Sequence, residues 1–174
     1  MEKKVVLEVR SRRLAKEFKS DLPWAAISVS TEEGDFPELN EENRVGLLRL
    51  RFWDIGNPTQ RQLDHRYDVL FSRYQAKQII DFVNEMWDKA EILLVHCEAG
   101  LSRSPAIAAA IEHMKYSPEE DKWYFKQYMP NYWVYKTILE EHYGVGTPQA
   151  EQAEKEAKRR MSQQVYDDPN DMFS

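Results

Sequence analysis

Residues 91–111 read EILLVHCEAGLSRSPAIAAAI, and the way this stretch divides decides the fold. Residues 92–95 are an unbroken apolar run with a β-branched residue at each end, the pattern of a buried strand. Residues 104–111 are small and apolar and predict a tightly packed helix, with Pro105 tolerated in its first turn. Between them lie Cys97, Glu98, Ala99, Gly100, Leu101, Ser102 and Arg103. A strand, a tight loop and a helix N-terminus form an anion site. The loop N–H groups can point inward, and the helix dipole adds partial positive charge.

Two residues give such a site its chemistry. Cys97 stands at the strand exit, where inward N–H groups and a helix N-terminus favour the thiolate. Arg103 closes the loop, and its planar fork can hold two oxygens of a phosphate in a way lysine cannot. Gly100 lets the backbone turn where a side chain would obstruct it. Ser104 is placed to hydrogen-bond the sulfur, and His96 to orient the cysteine from behind.

The string HCEAGLSRS, His96 to Ser104, resembles the signature of the cysteine-dependent protein tyrosine phosphatases, and its form is most similar to the dual-specificity branch. The resemblance is sharpest over residues 93–110 and extends in pattern over about 45–143. It implies a single α/β catalytic domain: a central, mostly parallel sheet flanked by helices, with the site on a strand–loop–helix unit. It implies a phosphomonoester hydrolase working through a cysteinyl-phosphate. Cys97 would be the nucleophile, and residues 98–103 with the Arg103 side chain the phosphate cradle. Ser104 would help the thiolate leave. No metal and no cofactor are expected. The family also has a mobile loop whose aspartate protonates the leaving group. Asp54, at a strand exit beside Trp53, occupies the matching place, although it lies farther from Cys97 than the family pattern. Asp64 is the rival. Asp68 also lies nearer the usual distance, and aspartate is in any case a common turn cap.

The loop composition bears on substrate. Members of the superfamily that act on polyphosphorylated targets tend to carry extra basic residues within this loop. Here the variable positions are Glu98, Ala99, Leu101 and Ser102. A singly phosphorylated protein or peptide is therefore expected, with phosphotyrosine first. Two other readings stay open: a binding module that captures phosphotyrosine without turnover, and a phosphatase of a small phosphorylated metabolite.

The rest of the chain sets limits. At 174 residues it is one domain's worth, and 42% hydrophobic with 31% charged residues is a globular composition. A net charge of −6 argues against a nucleic-acid or acidic-membrane binder. No apolar run is long enough to span a membrane, and the N-terminal apolar run is too short for a leader. A single cysteine excludes an internal disulfide and a cysteine-rich metal site, and the expected compartment is the reducing cytoplasm.

Outward from the motif, residues 4–9, 24–30 and 45–52 read as strands. Ser11 can cap a short basic helix over 12–19. Residues 73–89 read as an amphipathic helix capped by Ser72, leading into the strand before the motif and giving a parallel crossover. The intervening residues 56–72 read as a long irregular loop, the usual place for a lid. After the motif, a helix is expected to open at Ser117, Pro118 and Glu119 and to carry Trp123, Tyr124, Phe125 and Tyr128, packed on the sheet. A last helix is capped by Asn131 and ends at Gly144. The catalytic domain is taken as 1–146 and residues 147–174 as a charged tail, in which 149–164 is at best an exposed helix.

Overall fold

The computed structural model describes residues 5–32, 35–65 and 69–164. Four strands form one sheet: β1 Val6–Ser11, β2 Trp24–Ser30, β3 Arg44–Arg51 and β4 Ile92–Cys97, in the order β1-β4-β2-β3. All three pairings are parallel, so all four C-terminal ends lie along one edge. The register sets Ser11 beside Cys97 and Ser28 beside His96. That edge is where parallel α/β sheets place their sites.

Both faces of the sheet are covered, which is why every residue of β2 is buried. The strand pleat sends Ala25, Ile27, Leu93 and Val95 to one face and Trp24, Ala26 and Leu94 to the other. The second face is closed by Ala15, Phe18 and Leu39, next to the short helix α1, Arg12–Lys16, which Ser11 caps. The first face carries the larger core, built with α3 (Arg73–Met86), α4 (Arg103–Lys115), α5 (Lys122–Gln127) and α6 (Tyr132–Tyr143). Cys97 continues the pleat of Leu93 and Val95 and so emerges on the α4 side.

α4 is buried from Arg103 to His113. It lies between the sheet and the outer helices. Ala106, Ala108, Ala109 and Ala110 let those layers approach closely, and no polar face remains. The strand and helix expected from residues 91–111 are both present, each longer than its apolar run: β4 reaches Cys97, and α4 starts at Arg103.

Four expectations need correction. Residues 56–72 are not wholly irregular, because Thr59 and Gln62 form a capping box that starts α2, Gln60–Asp64. The Ser117 region makes turns, with the Glu119 N–H donating to Ser117 Oγ, and the helix begins only at Lys122. The aromatics of that helix pack on neighbouring helices rather than on the sheet: Phe125 meets Tyr135 of α6 edge-on at 5.3 Å. Residues 148–164 form α7, Pro148–Gln164, and it is not merely exposed. Ala150, Ala153 and Ala157 are buried, and Arg160 pairs with the fully buried Asp121 just before α5. Asp121 also accepts from Tyr135 Oη and lies 3.0 Å from His113 Nδ1. The tail residues 165–174, with the Tyr166, Met172 and Phe173 noted in the sequence, lie outside the described residues, as do Arg66, Tyr67 and Asp68. Among the described residues no helix is long and apolar enough to cross a membrane.

Candidate active site

The loop from Cys97 to Arg103 sits at the C-terminal edge of the central strand β4, held from two sides. From the start of α1, directly after β1, the Arg12 N–H donates to Glu98 O at 3.0 Å. Gly100 has φ +73, and a Cβ there would stand 2.7 Å from Ser11 N and 2.8 Å from Arg10 C. The turn therefore requires glycine for two separate reasons, conformation and close backbone approach. From the α5–α6 connection, Met129 N–H donates to Leu101 O at 3.0 Å and Asn131 N–H to Ser102 O at 2.9 Å.

Cys97 is buried at the floor of the loop. Its Sγ accepts from the Gly100 N–H at 3.3 Å and lies 3.1 Å from Ser104 Oγ in the first turn of α4. Both contacts suit a sulfur carrying negative charge, since one donor is a fixed amide and the other a rotatable hydroxyl. Behind it, His96 is fully buried. Its Nδ1 lies 3.2 Å from Cys97 O and its Nε2 2.5 Å from Ser28 Oγ. Burial, opposed by the bond to Cys97 O, pushes the imidazole below its usual value and keeps it neutral. A neutral ring satisfies both contacts when Nδ1–H donates to the carbonyl and Nε2 accepts from the serine.

Arg103 is almost wholly buried, and its guanidinium is braced by the ends of two strands. Nη1 donates to Phe52 O at 2.8 Å and to Thr31 Oγ1 at 2.9 Å. Both of these bonds fall on one nitrogen. Among the described residues, Nε and Nη2 have no hydrogen-bond partner, so one edge of the fork is left for ligand oxygens. Glu98 is exposed, with its carboxylate 3.9 Å from Arg12, which is itself paired with Asp35.

Of the acidic residues singled out in the sequence, Asp54 is in contact with the loop. Its Oδ1 accepts from Ser102 Oγ at 2.8 Å and from Asn131 Nδ2 at 2.7 Å, leaving Oδ2 for a proton. Asp64 ends α2, and its Oδ1 accepts from Gln60 Nε2 at 3.0 Å. Asp68 lies outside the described residues. Reading the sequence missed Thr31, Ser28 and the Phe52 carbonyl, which carry no local signal. It found Asn131 only as a cap. The cap is there, with Oδ1 accepting from Val134 N–H at 3.0 Å, while the other end of the same amide holds Asp54.

The fold, a parallel sheet covered on both faces with a strand–loop–helix unit on a central strand, is shared with a solved tyrosine phosphatase-like protein. Among solved structures, the chain is similar to a human tyrosine phosphatase-like serine/threonine/tyrosine-interacting protein. The two share 19% sequence identity with a TM-score of 0.51, over 79% of this chain and 91% of that one. It also resembles a mouse putative dual specificity phosphatase complexed with zinc tungstate, at 18% identity and TM-score 0.48 over 84% of this chain and 86% of that one. Human DUSP28 aligns at 15% identity and TM-score 0.46 over 91% and 94% of the two chains. No protein-family model matches the chain, and no curated protein does.

Proposed function

We propose that the protein is a phosphomonoester hydrolase acting on phosphorylated protein or peptide, phosphotyrosine first, through a cysteinyl-phosphate. The observation that carries this reading is the convergence of three groups on one loop. A buried sulfur faces an amide N–H and a hydroxyl, an arginine is braced with one edge of its fork open, and a carboxylate is held at the rim.

In this reading Cys97 Sγ attacks phosphorus in line with the leaving oxygen. The equatorial oxygens lie against the loop N–H groups and the open edge of Arg103, which are oriented before the reaction begins. Asp54 gives the proton on Oδ2 to the leaving alkoxide or phenolate, worth about a hundredfold or more for a poor leaving group. It then accepts a proton from the water that cleaves the S–P bond, while Ser104 Oγ–H supports the departing thiolate. The steps balance without an oxidant or a metal, since the loop amides and Arg103 supply the positive potential. Residues 1–146 are assigned to the catalytic domain and 147–174 to the tail, although α7 packs on the domain.

One observation favours a second reading. The structural neighbour at TM-score 0.51 is described as phosphatase-like and as an interacting protein. A module that holds phosphotyrosine without turning it over would use the same cradle. The presence of Cys97, Arg103 and Asp54 together ranks hydrolysis first. The test is turnover of p-nitrophenyl phosphate in EDTA by the wild type and by Cys97→Ser. Hydrolysis that survives chelation and is abolished by the substitution supports the proposal. Phosphotyrosine binding without turnover of any phosphoester moves the assignment to the module.

A further inference from the structure

Exposed large apolar side chains are ordinary when scattered, and they call for an occupant when they gather at a site. Three gather at the mouth of this loop. Leu101 is itself a loop residue and is 57% exposed. Met129, whose N–H is bonded to Leu101 O, is 73% exposed. Trp53, 48% exposed, precedes Asp54, whose carboxylate is bonded to the loop residue Ser102. Beyond Met129 the surface continues through Tyr128 to the half-exposed Trp123, their rings 5.6 Å apart. Leu101 belongs to the same seven-residue loop as Cys97, so a phosphoester seated over Cys97 meets the loop that carries it.

The other lip of the mouth is different. Glu98 is exposed, and Arg12 reaches its carboxylate only at 3.9 Å while holding Asp35 at 3.0 Å. An acidic segment would therefore meet an exposed, loosely paired carboxylate on one side and hydrocarbon on the other. An anionic membrane would face both Glu98 and a chain of net charge −6.

We propose that this lip selects phosphopeptides carrying a large apolar residue directly beside the phosphorylated one. The proposal rests on the reading that the loop receives a phosphorylated protein or peptide, and it adds which peptides. Covering one such side chain against Leu101 and Met129 removes several tens of Å² of apolar surface from water, enough for about tenfold in affinity.

The test is equilibrium binding to the full chain carrying Cys97→Ser, which reads recognition whether or not turnover occurs. The probes are a phosphotyrosine peptide flanked by leucines, the same peptide flanked by glutamates, and free phosphotyrosine. The expected result is about tenfold tighter binding of the leucine peptide than of the glutamate peptide. Met129→Gln, which keeps the backbone N–H to Leu101 O and adds no charge at the mouth, should remove most of that preference while free phosphotyrosine affinity stays within about twofold. Equal affinities for the two peptides, a preference untouched by Met129→Gln, or no binding of either peptide would overturn the proposal. So would binding to phosphoinositide-bearing vesicles in place of the peptides, which would make the lip a lipid contact. Failure of hydrolysis is read separately, from wild-type turnover of p-nitrophenyl phosphate. A silent enzyme with an intact peptide preference defeats the hydrolase reading and supports the lip.

Discussion

Asn131 does two jobs with one amide, and they can be separated. Its Oδ1 caps α6 by accepting from Val134 N–H, and its Nδ2 donates to Asp54 Oδ1 at 2.7 Å. Serine at this position keeps a capping oxygen, and its shorter side chain gives up the reach to Asp54. Asn131→Ser should therefore change stability by less than about 1 kcal/mol, the usual worth of a whole cap. The lost bond goes to one oxygen of an exposed carboxyl group whose other oxygen carries the transferred proton, so the top of the ordinary range applies, about 1.5 kcal/mol. If that energy orients the general acid, it appears as about a tenfold loss in kcat/KM on a phosphotyrosine peptide. The loss on p-nitrophenyl phosphate should be smaller, because p-nitrophenolate leaves with little help. The assay is steady-state turnover of both substrates, with urea denaturation as the control for folding. In an Asp54→Ala background, Asn131→Ser should have almost no further effect, since the residue it positions is gone. Equal losses on both substrates, or a full tenfold loss persisting without Asp54, would refute the reasoning.

Three other outcomes follow from the same contacts. Gly100→Ala places a Cβ in the left-handed region against the backbone of Arg10 and Ser11; it should lower stability by about 2 kcal/mol or more and abolish turnover, read by urea denaturation and p-nitrophenyl phosphate hydrolysis. His96 is held neutral by burial, with its folded value below the ordinary 6.5. As pH falls, the unfolded chain therefore binds the proton first. The folded state loses stability from about pH 6.5 down through the folded value, at up to about 1.4 kcal/mol per pH unit. Denaturation midpoints between about pH 7.5 and 5 should fall in the wild type and fall less in His96→Asn. Asp121→Ala leaves Arg160 buried without its counter-charge and should destabilise by about 3 kcal/mol or more, as should ending the chain at Gly146; thermal melts of both variants check this.

The phosphate cradle was legible because it is local. Seven consecutive residues supply the sulfur, the glycine, the amides and the guanidinium, and their flanks announce a strand and a helix. Ser11, Ser72 and Asn131 were readable as caps for the same reason, since a cap and its target lie three residues apart. What escaped is what the closing of the sheet creates. Thr31 and the Phe52 carbonyl brace Arg103 only because β2 and β3 end on the same edge of the sheet as β4. Nothing in the sequence near either of them marks that role. α7 was misjudged because its buried residues are alanines. Alanines leave little hydrophobic signal, yet they bring Arg160 within reach of Asp121. The gap of that pair along the chain hides it from any periodicity. Asp54 was found through the family pattern and the strand exit rather than through its own chemistry. Its hydrogen bonds reach Ser102 and Asn131, 48 and 77 residues further along the chain.

The central claim is the covalent one, and Asp54→Ala tests it most directly. With p-nitrophenyl phosphate the leaving group departs without an acid, while hydrolysis of the intermediate loses its base. The intermediate should accumulate. Rapid quenching followed by mass spectrometry of the intact chain and its peptides should find one phosphoryl group, carried on Cys97 and missing from a Cys97→Ser, Asp54→Ala double variant. Release of p-nitrophenol with no phosphate on the chain, or with phosphate on any other residue, would contradict the account.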